Sequence, residues 1–140
     1  FTGDNHFVTV LYAILDPTSG MLTYISCGHP PPMLLRATGE IDRLDHHNTA
    51  LGIFKNLKYT EDQTHIHTGD ILVLYTDGVV ELMNAADEAF GVPRLVEVIR
   101  RNKDLDAADL INKVIEEAQG FANTYGFLDD FTLVVVRRKV

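Results

Sequence analysis

The sequence contains one cysteine, Cys27, so it cannot form an internal disulfide bond. A chain without disulfides is typical of a reducing compartment, and we expect a cytoplasmic location. No apolar run approaches the roughly 18 residues that span a bilayer, and the first residues show no basic region followed by an apolar stretch. We therefore expect no membrane-spanning helix, no signal peptide and no membrane contact by this domain.

Basic residues are also scarce. The chain has 12 Lys and Arg against 20 Asp and Glu, which gives a formal net charge of −8. A surface of this sign repels a phosphate backbone or an anionic membrane. We therefore expect no nucleic-acid partner.

The remaining composition is that of a folded protein. Hydrophobic residues make up 46% of the 140 residues and charged residues 23%, which excludes a disordered chain. The length suits one domain, or part of one.

The strongest local pattern is the apolar run at 71–75, which follows the turn signal Gly69-Asp70 and ends at a polar break. This pattern predicts a strand that is buried on both faces. Asp77 and Gly78 come directly after it. A carboxylate at the end of a rigid buried strand is held firmly, so Asp77 is a candidate metal ligand, and a plain turn is the alternative.

The other elements are predicted from the same kinds of pattern. Two antiparallel hairpins, an edge-like strand and a final strand are expected, at 7–15 with 21–27, at 33–35 with 41–44, at 59–67 and at 131–136. The strand at 7–15 is predicted to be central because it is nearly continuous apolar sequence. Two amphipathic helices, one from Pro93 to Asn102 and one capped by Asp106, are each expected to cover a sheet face.

Asp129 and Asp130 stand immediately before the final strand. If that strand and the strand at 71–75 are antiparallel neighbours, the end of one lies beside the start of the other. Asp77 would then approach Asp129. Sites built only from oxygen ligands suit Mg²⁺ or Mn²⁺ rather than zinc.

His29 precedes three consecutive prolines, Pro30 to Pro32, which impose a rigid extended loop that cannot sit inside a sheet. The loop presets His29 in space, although an ordinary solvated histidine is the alternative. The pair His46-His47 is interpreted as solvated, because no third ligand stands at metal-binding spacing.

Together these motifs resemble, in order and approximate spacing, the bacterial SpoIIE-like branch of the PPM (protein phosphatase 2C-like) serine/threonine phosphatases. The resemblance covers essentially the whole chain. It rests on Phe7-Val8-Thr9, Gly28-His29-Pro30-Pro31, Leu51-Gly52-Ile53, Gly69-Asp70, Tyr75-Thr76-Asp77-Gly78-Val79, Phe90-Gly91 and Asp129-Asp130-Phe131-Thr132.

The resemblance implies an α+β fold: an antiparallel β-sandwich with helices packed outside, the α-β-β-α phosphatase fold. It also implies a binuclear Mn²⁺ or Mg²⁺ centre at which an activated water attacks phosphoserine or phosphothreonine. Asp77 and Asp129 would be the catalytic metal ligands, and Asp130 would orient them. Gly78 would keep the backbone clear of the metal, and His29 would be structural or substrate-facing.

One family motif is missing, namely an earlier segment whose aspartate bridges the two metals. Gly3-Asp4-Asn5-His6 imitates its opening but lies directly against the strand that starts at Phe7, so Asp4 is not assigned as the bridge. We expect residues 1–140 to form one PPM-type domain that lacks its N-terminal metal-binding segment. This chain alone is expected to be inactive and, because an edge near 7–15 is left unpaired, to form a homodimer.

In this family the implied substrate is a phosphorylated regulatory protein of the anti-sigma-factor antagonist type, in bacterial signalling. The alternative is a non-catalytic phosphatase-like binding module with an incomplete metal site. A sandwich domain without any site would leave Asp77 and the Asp129-Asp130 pair unexplained.

Overall fold

The computed structural model describes residues 6–123 and 130–139. These residues form seven strands and three helices. In chain order they are β1 Val10–Leu15, β2 Met21–Cys27, β3 Met33–Leu35, β4 Ile41–Arg43, β5 Asp62–His65, β6 Ile71–Tyr75, α1 Asp77–Val80, α2 Gly91–Arg101, α3 Ala107–Ala122 and β7 Leu133–Arg137.

The strands form two sheets, in the orders β1-β2-β5 and β4-β3-β6-β7, and every strand pairing is antiparallel. Both predicted hairpins, β1-β2 and β3-β4, are confirmed. The sheets pack face to face through apolar side chains that alternate along the strands, because successive residues point to opposite faces. The core between them contains Leu22, Tyr24, Leu34, Leu44, Ile66 and Leu72.

A second core lies between the four-stranded sheet and the helices. Met33 and Val73 of the sheet pack there against buried side chains of α2 and α3, among them Leu95, Ile99, Leu110 and Val114. Leu72 of β6 faces one core, whereas Ile71 and Val73 face the other, so the prediction that β6 is buried on both faces is confirmed. The fold is therefore an α+β antiparallel sandwich, of which the described residues show one helix layer.

The prediction that Asp106 caps the second amphipathic helix is confirmed. Its side chain accepts a hydrogen bond from the Asp109 amide at 2.9 Å at the start of α3, which satisfies a donor that the helix leaves unpaired. Neither α3 nor the other helices of the described ranges are long and apolar enough to cross a bilayer.

The prediction that the first strand is central is wrong for the residues that the structure describes. There β1 pairs only with β2 and lies at a sheet edge, with Tyr12 and Ile14 exposed by 61% and 57%. An apolar, β-branched run reports strand propensity, but strand order in a sheet depends on contacts that are distant in sequence.

This edge leads to the first experimental prediction. A polypeptide of residues 1–140 is expected to self-associate through β1, because unpaired backbone groups and exposed apolar side chains on an edge strand attract a second strand. Multi-angle light scattering should give a mass above the 15.6 kDa of one chain. The double replacement Tyr12→Lys with Ile14→Lys should shift the mass towards the monomer. A wild-type mass of one chain at every concentration would contradict the prediction.

Asp70, at the start of β6, is a buried carboxylate that joins several segments. It accepts hydrogen bonds from Nη1 of Arg36 at 2.8 Å and from the amides of Ala37 and His67, both at 2.9 Å. Burial alone would raise the pKa of Asp70, but these donors hold that pKa below its ordinary value of 3.8. The sequence predicts Gly69-Asp70 only as a turn; the structure shows that Asp70 is also a tertiary anchor.

Candidate functional site

Asp77 is the first residue of α1, a four-residue helix that starts where β6 ends. The sequence predicts only a strand end and a turn here. The Val79 amide donates to the Thr76 carbonyl at 3.0 Å, and the Val79 side chain is fully buried in the core beneath the helices. The turn that carries Asp77 is therefore anchored at its base.

The pairing of β6 with β7 brings the start of β7 to the same sheet edge, with Tyr75 opposite Leu133. Thr76 connects the two segments. Its amide donates to the Thr132 carbonyl at 3.1 Å, its hydroxyl donates to the Asp130 carbonyl at 3.0 Å, and the same hydroxyl accepts from the Thr132 amide at 3.0 Å. These bonds hold the Asp130 backbone beside the residue that precedes Asp77.

The antiparallel arrangement on which the Asp77–Asp129 hypothesis depends is thus present. Asp129 lies outside the described residues, so its approach to Asp77 stays a prediction, and Asp4 lies outside them as well. Sequence reasoning missed the part played by Thr76. A threonine directly before the Asp-Gly pair could have indicated it, since a hydroxyl can donate and accept at one point.

Gly78 allows the start of β7 to approach α1 closely. A Cβ atom built at Gly78 would lie 2.3 Å from the Asp130 carbonyl oxygen and 2.9 Å from its carbonyl carbon. The Asp130 backbone therefore occupies the space that a Cβ atom at Gly78 would need, and the implied role of Gly78 in keeping the backbone clear of the metal stays a prediction.

We expect Gly78→Ala to lower the free energy of unfolding by about 2 kcal/mol, because backbone must move to admit the methyl group. Displacing Asp130 should also weaken Mn²⁺ binding by the full-length protein. Urea unfolding and calorimetric Mn²⁺ titration measure the two effects. Gly120→Ala is the matched control: Gly120 lies within α3 with open space at its Cβ position, so alanine should raise stability by up to about 1 kcal/mol. Equal changes in unfolding free energy and in Mn²⁺ affinity in the two variants would contradict the close approach of the Asp130 backbone to Gly78 as the cause.

The Asp77 side chain is exposed and makes no hydrogen bond or ion pair with any residue in 6–123 or 130–139. Its oxygens are available to a cation, and carboxylate oxygens are the ligands that Mg²⁺ and Mn²⁺ prefer. Within the same ranges no three His, Cys, Asp or Glu side chains come together as a metal site.

A cleft of about 330 Å³ opens beside Asp77. The loop from Gly28 to Pro31 lines it on one side, and its other lining residues are Arg43, Tyr75, Val80 and Val92. His29 is held there partly by the Ser26 hydroxyl, which donates to the His29 carbonyl at 3.3 Å. The structure thus brings two predicted site residues, His29 and Asp77, to one cleft.

Arg43 belongs to the same cleft but was not selected from the sequence. It is the last residue of a three-residue strand and stands between Asp42 and Leu44, and no local pattern distinguishes it. His46 and His47 are exposed and bond to the Thr60 hydroxyl oxygen and the Asp45 carbonyl, which agrees with their interpretation as solvated histidines.

Comparison with known proteins gives a family match over nearly the whole chain. A family model described as Stage II sporulation protein E (SpoIIE) matches residues 1–139. The chain is 31% identical over 132 residues to Protein IcfG of Synechocystis sp. (strain ATCC 27184 / PCC 6803 / Kazusa), which is 94% of this chain and 21% of that protein. It is 28% identical over 135 residues to Phosphoserine phosphatase RsbU of Bacillus subtilis (strain 168), which is 96% of this chain and 40% of that protein. The chain thus spans well under half of either relative.

Solved structures share the fold. The SiaA-PP2C domain of Pseudomonas aeruginosa matches with a TM-score of 0.81 at 15% identity, over 94% of this chain and 52% of that one. The catalytic domain of the serine threonine protein phosphatase PstP, solved in complex with two manganese ions, matches with a TM-score of 0.65 at 17% identity, over 94% and 59% of the two chains. The sandwich described above is therefore the fold of PP2C phosphatase domains.

Proposed function

Because the chain belongs to the SpoIIE family, we propose that it forms the greater part of a phosphatase domain that hydrolyses phosphoserine or phosphothreonine on a regulatory protein, with the help of divalent metal ions. The observation that carries this proposal is Asp77. Its carboxylate, which makes no hydrogen bond or ion pair with the described residues, lies on an anchored turn beside the start of β7 and lines a cleft. A carboxylate so placed is suited to a cation rather than to holding the fold together.

The metal ligands in this proposal are Asp77 and Asp129, with Asp130 orienting them through the backbone contacts to Thr76. The donors are all oxygen, which favours Mn²⁺ or Mg²⁺, and the fold neighbour PstP is described with two manganese ions. A binuclear centre needs a further bridging carboxylate. Metal bound here would supply an acidified water for attack on phosphorus.

The reaction is the hydrolysis of a phosphomonoester. A bond forms between the water oxygen and phosphorus, the bond from phosphorus to the serine oxygen breaks, and that oxygen takes up a proton. The described residues contribute to the reaction by positioning the substrate. The rigid loop at His29 and residues of α1 both line the cleft, so in this proposal a phosphorylated side chain that enters the cleft is directed towards Asp77.

The substrate class is part of the proposal. RsbU is described as a phosphoserine phosphatase, and the family resemblance implies a phosphorylated anti-sigma-factor antagonist in bacterial signalling. A net charge of −8 disfavours nucleic acid as a partner. We assign the protein to the cytoplasm, with a homodimer formed through β1.

The test is phosphate release by the full-length protein from a phosphoserine-containing protein. Release is expected with Mn²⁺ present and absent after chelation with EDTA. Residues 1–140 alone should release none, since the bridging carboxylate is not among the assigned residues. Binding of the phosphoprotein without any release by the full-length protein would favour the alternative, a phosphatase-like binding module.

A further inference from the structure

The cleft beside Asp77 has a volume of about 330 Å³, which lies at the lower end of the range for ligand sites. Apolar groups line much of it, namely prolines of the loop after His29 and the side chains Val80 and Val92. Arg43 is the positively charged residue among those that line the cleft.

The register of the sheet directs Arg43 into this cleft. Arg43 is the last residue of β4 and lies opposite Met33 of β3. Paired residues of antiparallel strands share a face, and Met33 packs in the core beneath the helices, so Arg43 projects on the helix side of the sheet. The Leu44 amide donates to the Pro32 carbonyl at 2.9 Å, which ties the end of β4 to the proline loop.

The guanidinium of Arg43 has no partner within the described residues. Arg43 is exposed and makes no hydrogen bond or ion pair with any residue in those ranges, and in particular none with Asp77, which lines the same cleft. Both charges nevertheless act on Tyr75, which also lines the cleft. Burial raises the pKa of the Tyr75 hydroxyl, the Arg43 guanidinium opposes that rise, and the Asp77 carboxylate adds to it.

His29, which also lines the cleft, has a polar atom without a hydrogen-bond partner among the described residues. Nδ1 of His29 is buried and has no hydrogen-bond partner among the residues that the structure describes. A buried nitrogen without a partner is unfavourable, and native structures rarely leave one so unless a ligand or water completes it.

We propose that Arg43 is a substrate-binding residue whose guanidinium holds the phosphoryl oxygens of the phosphorylated side chain opposite Asp77. This inference rests on the proposed function and deepens it. The planar guanidinium offers two parallel N–H donors, which match two oxygens of a phosphate dianion. On a chain with net charge −8 it also supplies the local positive charge that makes a phosphorylated side chain preferable to an unmodified one.

The test uses the full-length protein and its variants Arg43→Ala, Arg43→Lys and Arg100→Ala. Arg100 is the matched control, an arginine with a half-exposed side chain near the far end of α2. Calorimetry measures the affinity for a phosphoserine peptide, for inorganic phosphate and for Mn²⁺, and steady-state kinetics separates KM from kcat.

Arg43→Ala is expected to weaken binding of the peptide and of phosphate by about 10- to 100-fold, as for the loss of charge-assisted hydrogen bonds. KM should rise by a similar factor while Mn²⁺ affinity stays unchanged. Arg43→Lys should recover part of the lost affinity, because the lysine ammonium keeps the positive charge but lacks the two parallel N–H donors of the guanidinium. His29→Ala should also weaken peptide binding and leave Mn²⁺ affinity intact.

The outcomes separate this inference from the proposed function. If wild type releases phosphate and Arg43→Ala matches Arg100→Ala in KM and in phosphate affinity, the role of Arg43 is overturned and the phosphatase stands. If wild type releases no phosphate but binds the phosphopeptide through Arg43, the binding role stands and hydrolysis is overturned. Wild-type protein that neither binds nor hydrolyses the peptide overturns both.

Discussion

Replacing Asp77 with asparagine in the full-length protein is expected to abolish Mn²⁺-dependent phosphate release, with a loss of more than about 100-fold. The amide keeps the shape of the side chain but removes the charge that a divalent cation requires. Asp77 is exposed and makes no hydrogen bond or ion pair with the described residues, so the change removes no side-chain contact of this kind within residues 6–123 and 130–139. Stability should therefore be preserved while activity disappears.

Asp104→Asn is the matched control for this experiment. Asp104 is an exposed aspartate in a pocket that it shares with Thr68 and Gly69, which precede the start of β6, whereas Asp77 follows its end. The control should keep wild-type turnover. Calorimetric Mn²⁺ titration of both variants measures metal binding directly. Of the two, only Asp77→Asn should lose affinity for Mn²⁺. Undiminished metal-dependent turnover in Asp77→Asn would rule out the proposed site.

The largest expected effect on stability comes from Asp70→Asn. This change removes the charge from a buried carboxylate that accepts three hydrogen bonds, including one from Arg36. Breaking one side of a buried ion pair costs about 3–5 kcal/mol, and because the Arg36 side chain is 21% exposed we expect about 3 kcal/mol. At roughly 3 °C per kcal/mol for a domain of this size, the melting temperature should fall by about 10 °C.

The effect should depend on pH in a defined direction. The pKa of Asp70 in the folded protein lies below its ordinary value of 3.8, so the folded state favours the ionised form. The stabilisation is therefore complete well above pH 4 and is lost as the pH falls through the folded-state pKa. Calorimetric melting of wild type and Asp70→Asn should show a constant difference between pH 6 and 8 that shrinks below about pH 4.

Asp42→Asn provides the control, because Asp42 pairs with the same arginine at 2.7 Å but its side chain is 48% exposed. Exposed ion pairs contribute about 0–1 kcal/mol, so this variant should melt within about 3 °C of wild type. Equal losses in Asp42→Asn and Asp70→Asn would show that burial of the Asp70 carboxylate is not the cause.

The sequence by itself determined most of the segments that form strands and helices, although the short helix α1 was predicted only as a turn. The apolar run at 71–75 predicts a strand buried on both faces because it has no polar side to present to water, and β6 is such a strand. Asp106 and the apolar stripe that follows it predict α3 for an equally local reason, since capping and helical periodicity involve residues within a few positions of one another. The ordered motifs also indicated the family, which the match of residues 1–139 to the SpoIIE family model confirms.

Only the tertiary structure decided where those segments lie relative to one another. Four features depend on residues that are distant in sequence. They are the exposed position of β1 at a sheet edge, the contact between Gly78 and the Asp130 backbone, the bonds of Asp70 to Arg36 and Ala37, and the presence of Arg43 in the cleft. No local pattern encodes such pairings, because they depend on strand order and register, which are set by the packing of both sheets together. A charged residue in a short strand thus becomes a candidate phosphate ligand only when the fold brings it beside Asp77.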